Sequence, residues 1–259
     1  MNTVAPPPFF TYCWSMKRFL LVSTRPEDEA IDAEYHAFRV GMGLAPEGLE
    51  QIRLDMLGLP DIDLDDYSGV VIAGSSYGTT TADDAKTATQ KAVESELMRL
   101  FGDIIDAGTP CLTTGFGTEV ATVFLGGLVS RRWAEDPQIA EIIMTTGAWD
   151  EPIFAGLDRE FSTFVGHHEA VEVVPAGADV LARSLTCPVE VMRIGERFYA
   201  LQFNPELDSV SIARTLERYE DAGYPGTDDP DEFLRIGREG AGDHPAAQIL
   251  KNFVSMFSS

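Results

Sequence analysis

The stretch from Pro110 to Gly127 constrains the fold more than any other part of the chain. Pro110-Cys111-Leu112-Thr113 is a short apolar strand. The stretch after Gly117 reads as an apolar helix that closes on Leu125-Gly126-Gly127. A buried strand feeding directly into a helix is the building unit of a parallel α/β sheet. The preceding residues repeat that alternation. Residues 19–23, 52–54 and 69–74 read as buried strands. Residues 27–44 carry Tyr35, Phe38 and Val40 at helical spacing, and 59–66 is a Pro/Asp loop. A long helix follows. Its expected cap is Asp83 or Asp84, its apolar face holds Val93, Leu97, Leu100, Ile104 and Ile105, and Gly108 lies past its end.

The second half changes character. Residues 161–165, 171–174, 189–194 and 198–203 read as short strands, the last two joined at Gly195-Glu196 as in a hairpin. A charged helix is expected over 208–222 and an acidic loop over 223–232, whose Asp228, Asp229, Asp231 and Glu232 form a solvated surface. A closing helix over 246–257 sets Ile249, Leu250, Phe253 and Phe257 on one face.

Composition narrows the function classes. A hydrophobic fraction of 44% supports a substantial core, and a net charge of −23 repels phosphates and anionic lipid. Nucleic-acid and membrane partners are therefore not expected. Cys13, Cys111 and Cys187 are too few for a disulfide framework, and no C-x-x-C pair points to zinc, so no metal site is expected. That usage suits a reducing, cytoplasmic setting. Residues 1–15, with Pro6-Pro7-Pro8 and no basic start, read as a flexible extension ahead of a domain covering 16–259.

Four segments together resemble class I glutamine amidotransferases. Val70-Val71-Ile72-Ala73-Gly74-Ser75-Ser76 is similar to the strand and G-G-P loop of that family. Residues 110–127 resemble its elbow, P-x-L-G-I-C-x-G-H-Q with a later L-G-G. Gly166-His167-His168-Glu169, with Val171 and Pro175, is similar to G-H-S-D/E-x-V…P. Ala200-Leu201-Gln202-Phe203-Asn204-Pro205-Glu206 is similar to V-Q-F-H-P-E. The likeness covers nearly everything after Met16 and is greatest to the stand-alone, GMP-synthase-like branch. It implies an α/β, flavodoxin-like three-layer sandwich with a mostly parallel central sheet.

It also implies a reaction that these residues do not supply. In the family an elbow cysteine attacks the glutamine amide, a histidine takes its proton and a glutamate orients the histidine. Counting back from Gly126-Gly127, the cysteine position falls on Gly115. The histidine position is Asn204, and only the third, Glu206, is retained. The resemblance places Gly74, Ser75, Gly115, Phe116, Thr118, Glu119, His167, His168 and Asn204 around the ligand pocket. Cys111 is expected as a buried small hydrophobe and Cys187 as a surface or half-buried thiol in a turn. The hydroxyls of Thr114 and Thr118 flank the elbow, but Asn204 cannot serve either as a base. His167 is expected to shape the pocket wall, and adjacent histidines on an extended strand point to opposite sides. Glu119, on the first turn of the elbow helix, suits the helix dipole. Together with Glu206 it would also disfavour a substrate carboxylate.

The leading expectation is an amidotransferase-like binding or regulatory subunit without Cys-dependent glutaminase activity. It would take an amino-acid-like or amine-bearing small molecule, engage a protein partner and need no cofactor. One alternative is a divergent amidohydrolase or amidotransferase using Glu119, Glu206 or a histidine. The other is an amidotransferase partner whose chemistry comes from another chain.

Overall fold

The computed structural model describes residues 17–207 and 244–258. The expected N-terminal extension, the helix over 208–222 and the acidic loop over 223–232 lie outside the described residues. Eleven strands are found there: β1 (Arg18–Ser23), β2 (Leu49–Arg53), β3 (Tyr67–Ile72), β4 (Cys111–Thr114), β5 (Leu128–Ser130), β6 (Glu135–Met144), β7 (Glu160–His167), β8 (Ala170–Val173), β9 (Ala178–Arg183), β10 (Val191–Ile194) and β11 (Phe198–Leu201). Nine form one sheet in the order β2-β1-β3-β4-β11-β10-β9-β6-β7, and β5 pairs with β8 separately. From β2 to β11 neighbouring strands run parallel, and from β11 to β7 they run antiparallel.

Strands β1, β3 and β11 are buried on both faces, which is why they are largely apolar runs, whereas the edge strand β2 is only part-buried. Along β1, Phe19 and Leu21 join one core while Leu20 and Val22 join the other. The first core is closed by helix α1 (Asp28–Gly41) and by the C-terminal helix Gln248–Phe257, which we call α5 once α2 (Leu54–Leu57), α3 (Ala88–Ala107) and α4 (Phe116–Phe124) are counted. Helix α5 buries Ile249, Leu250 and Phe253, and Phe253 packs between Phe19 and Phe257 with ring centroids 5.8 and 5.1 Å away. Each such fully buried side chain stabilises the fold by roughly 1.5–3 kcal/mol. The second core is closed by α3 and α4 through Val93, Leu97, Leu100, Phe101, Ile104, Phe116 and Val120. Two helical layers on one sheet make the flavodoxin-like three-layer sandwich.

Helix α3 starts later than Asp83 or Asp84. The Thr87 hydroxyl caps it by accepting from the Gln90 N–H at 3.0 Å, while residues 82–86 form a separate turn and Asp83 pairs with Lys91. A threonine placed three residues before the N–H it caps satisfies the helix end, so the acids are free for the surface. Gly108 ends the helix in the left-handed conformation, as its position in the sequence predicts. Among the described residues no helix is long and apolar enough to cross a membrane.

Candidate functional site

The elbow sits at the C-terminal end of the parallel strands, where open α/β sheets bind their ligands. Gly115 links β4 to α4 with φ 46° and ψ −118°. That conformation is strained for a residue with a Cβ, and glycine adopts it freely. Gly117 is needed for a different reason: a Cβ there would lie 2.9 Å from Ile72 Cγ2 and 3.2 Å from the Ile72 carbonyl. Its absence lets the first turn of α4 settle onto β3.

Asn204 follows β11 and turns its side chain toward the elbow. A Cβ on Gly115 would lie 3.6 Å from Asn204 Oδ1, and one on Gly74 only 3.1 Å from it. The structure therefore brings together Gly74, Gly115 and Asn204, three positions the sequence picks out separately. The Oδ1 of Asn204 and the Oγ1 of Thr114 have no hydrogen-bond partner among the described residues. A carboxamide cannot take the Thr114 proton, so this hydroxyl has no base there.

A cleft of about 530 Å³ opens beside the elbow. Of the expected pocket residues, Gly74, Ser75, Gly115, Phe116, Glu119, His167, His168 and Asn204 line it. Thr118 does not. Its hydroxyl donates to the Leu201 carbonyl at 2.7 Å and pairs with Thr113 at 2.8 Å, so it stitches α4 to the sheet. Glu206 is likewise absent from the lining. Burial pushes its carboxyl up to about 8, and its charged neighbours are Glu34 and Arg25. The expected meeting of Glu119 with Glu206 is thus corrected: the charged groups that Glu206 faces are Glu34 and Arg25, while Glu119 faces Glu169.

The partner of Glu119 is Glu169. Glu119 is 4% exposed, so it does not turn outward into solvent. Burial, then the charge and hydrogen bonding of Glu169, push its carboxyl well above the usual range. Glu169 is buried too, yet hydrogen bonds from Glu119, Thr79 and Thr80 outweigh that and hold it below the usual range. The loop after β3 wraps this carboxylate. The N–H and hydroxyl of Thr79 donate to Oε1, the hydroxyl at 2.6 Å, and the N–H and hydroxyl of Thr80 donate to Oε2, the N–H at 3.0 Å. Two acids of opposite tendency thus face each other at the cleft, the carboxyl of Glu119 raised and that of Glu169 lowered. Glu169 is visible in the sequence as part of a motif, but nothing in the spacing ties it to Glu119. Gln202 braces the pair, donating to the Glu169 carbonyl at 3.2 Å and accepting from the Val171 N–H at 3.4 Å.

His167 and His168 diverge as adjacent residues at a strand end should. His167 is buried, with Nε2 2.8 Å from Glu135 Oε2, and His168 is exposed. Partial desolvation of the ring and the nearby Arg131 lower the His168 imidazole below its usual value. Cys111 is buried in the sheet as expected. Cys187 departs from expectation: it is 1% exposed, because a tight turn folds it inward with its N–H donating to Ser184 Oγ at 2.8 Å.

Residues 58–216 match the family model for glutamine amidotransferase class-I. A glutamine-hydrolysing GMP synthase of Thermomicrobium roseum is 30% identical over 117 residues, which are 44% of this chain and 21% of that protein. One subunit of the glutamine-hydrolysing GMP synthase of Pyrococcus abyssi is 34% identical over 99 residues, 38% of this chain and 51% of that one. The matched stretches thus span about a fifth to a half of these relatives' length. Among solved structures, a glutamine amidotransferase from Thermotoga maritima superposes with a TM-score of 0.72 at 17% identity, covering 93% of this chain and 98% of that one. Another, from Methylobacillus flagellatus, gives 0.69 at 14% identity, covering 94% and 96%.

Proposed function

Because the chain belongs to the class I glutamine amidotransferase family, we propose that it keeps the family's ligand cleft without Cys-dependent glutaminase chemistry and acts as a binding or regulatory subunit. The observation that carries this reading is the apposition of Gly115 and Asn204 at the elbow. Amide hydrolysis by the family's route needs a thiolate and a base at these two places, and here glycine supplies no nucleophile and the carboxamide of Asn204 no general base. Loss of a nucleophile together with its base typically removes a factor on the order of 10⁶ in rate.

The acid pair supports a ligand class for the part of the cleft beside Glu119; Arg25 and Arg131 also line the cleft. A free α-carboxylate entering beside Glu119 would meet the Glu119–Glu169 pair, whereas an ammonium or a neutral amide would be accepted by it. The ligand is therefore an amine-bearing or neutral small molecule of amino-acid size. The Pyrococcus abyssi relative is by name one subunit of a synthase, which supports a protein partner for this chain as well.

The test is ammonia release from glutamine by the purified chain. The expected result is no release above background, with Gly115→Cys combined with Asn204→His restoring at most partial activity. Ammonia release at a healthy rate, blocked by a thiol alkylator, would overturn the reading. A thermal-shift series of amino acids, amides and amines tests the ligand class. Glutamate or glutamine as the best stabiliser, with no gain for glutamine on Glu119→Gln, would rule it out.

A further inference from the structure

Four potential metal-ligating side chains meet at one end of the antiparallel half of the sheet. Glu135 opens β6 and His167 closes β7, and the two residues are cross-strand partners in register. Cys187 and Glu190 lie in the connection between β9 and β10. That connection is pinned by hydrogen bonds from the Ser184 N–H to the Cys187 carbonyl at 2.8 Å and from the Glu190 N–H to the Ala182 carbonyl at 2.9 Å. One donor atom from each of the four lies within 4.8 Å of every other, and all four residues are buried. We propose that Glu135, His167, Cys187 and Glu190 form a binding site for a divalent transition-metal ion of the zinc class.

The donor set argues for the ion class. An imidazole, a thiol and two carboxylates are the ligands zinc takes, at about 2.0–2.3 Å in a tetrahedron. The thiol and imidazole disfavour magnesium and calcium, which prefer all-oxygen shells. A tetrahedron of that size has edges of roughly 3.5 Å, so the side chains need close by about 1 Å at the widest separation.

An independent observation points the same way. Glu190 is 0% exposed, and neither of its carboxyl oxygens makes a hydrogen bond of good geometry among the described residues; its polar neighbours are Glu135 and Ser184. Burying a carboxylate without partners is costly, and such groups in proteins are paired or coordinate metals. Glu135, by contrast, is oriented by surrounding donors. Ser184 Oγ reaches its Oε1 at 3.3 Å, the Thr186 hydroxyl donates to the same oxygen, and His167 Nε2 lies 2.8 Å from Oε2. Donors of this kind commonly aim a metal-binding carboxylate. Glu135 and His167 also line the cleft, so an ion here would brace its wall. This site is separate from the elbow and does not depend on the ligand proposed for it.

The test uses the full-length chain, free of affinity tags and stripped with a chelator. Zn²⁺ is titrated against a chromophoric competitor, and Co²⁺ is followed by absorption. The expected result is one ion per chain, with a thiolate-to-cobalt charge-transfer band and the d–d bands of tetrahedral Co²⁺. Cys187→Ser should abolish the charge-transfer band, and Glu190→Gln should weaken Zn²⁺ by roughly 10-fold or more. Cys13→Ser and Cys111→Ala should leave both signals intact. Absence of stoichiometric Zn²⁺ binding by the wild-type chain overturns the proposal without recourse to any variant. So does a cobalt complex with no thiolate band, or a band that survives in Cys187→Ser.

Discussion

The two buried acid pairs beside the cleft are built alike and completed differently. In each, one carboxyl is pushed up and its neighbour held down: Glu119 against Glu169, and Glu190 against Glu135. At the elbow the lowered member is wrapped by backbone N–H groups and hydroxyls of Thr79 and Thr80. At the far wall Glu135 is held by side chains alone, and Glu190 has only Glu135 and Ser184 as polar neighbours, with no hydrogen bond of good geometry among the described residues. Burial is therefore not what separates a structural acid from a chemically available one. The supply of donors is, and a carboxylate short of them is the one poised to take a cation.

The largest expected effect would break this contrast directly. Glu169→Ala takes the acceptor away from the Thr79 and Thr80 N–H groups of a part-exposed loop and should cost about 3 kcal/mol by urea unfolding. Glu135→Ala, measured without metal, should cost about half as much, because its donors are side chains that can turn to other acceptors. Equal losses would show that backbone wrapping makes no difference.

Next is Glu119→Gln. A raised carboxyl keeps its proton in the folded state while the unfolded chain has already lost it. Its contribution is thus full below the unfolded value and declines at about 1.4 kcal/mol per pH unit above it. The amide removes that decline and can still donate to Glu169. The variant should be indistinguishable from wild type near pH 4 and should gain on it steadily as the pH rises toward 7. A gain that does not grow with pH would mean that Glu119 is not the protonated member.

Glu206→Gln sharpens the comparison from outside both pairs. With its carboxyl pushed up to about 8, wild-type stability should fall as pH rises from the unfolded-state value toward that point. The variant should recover about 2–3 kcal/mol of the decline between pH 5 and 7. Because neither Glu119 nor Glu206 is among the charged neighbours of the other, the two effects should add, and a double variant falling short of the sum would show coupling. The smallest effect belongs to Gly115→Ala. The new Cβ makes ordinary contacts at 3.6 Å, so only backbone strain remains, about 1–2 kcal/mol in unfolding measurements.

These contrasts also mark what the amino-acid sequence discloses. The parallel strands are legible because burial on both faces leaves uninterrupted runs such as Val70-Val71-Ile72. Strand β6 is not, since Glu135-Asp136-Pro137-Gln138 opens it with residues that usually mark loops. Its buried Glu135 is tolerable only through donors from β7 and the β9–β10 connection. Gly115, Asn204 and the pocket glycines can be located by motif. The pairing of Glu119 with Glu169, and the inward turn of Cys187, depend on loops brought together by the fold, and local patterning carries no trace of them.

The conformation of Gly115 has one more consequence, for labelling chemistry. An elbow that keeps its shape but presents only hydrogen at the apex leaves electrophiles nothing to alkylate there. Cys111 and Cys187 give no substitute, since both are buried and burial pushes each thiol up, away from the reactive thiolate. Electrophilic glutamine analogues, which tag an elbow thiol wherever one exists, should pass through this chain's cleft without a covalent mark. In a mixture of proteins sharing this architecture, it would be distinguished by its silence.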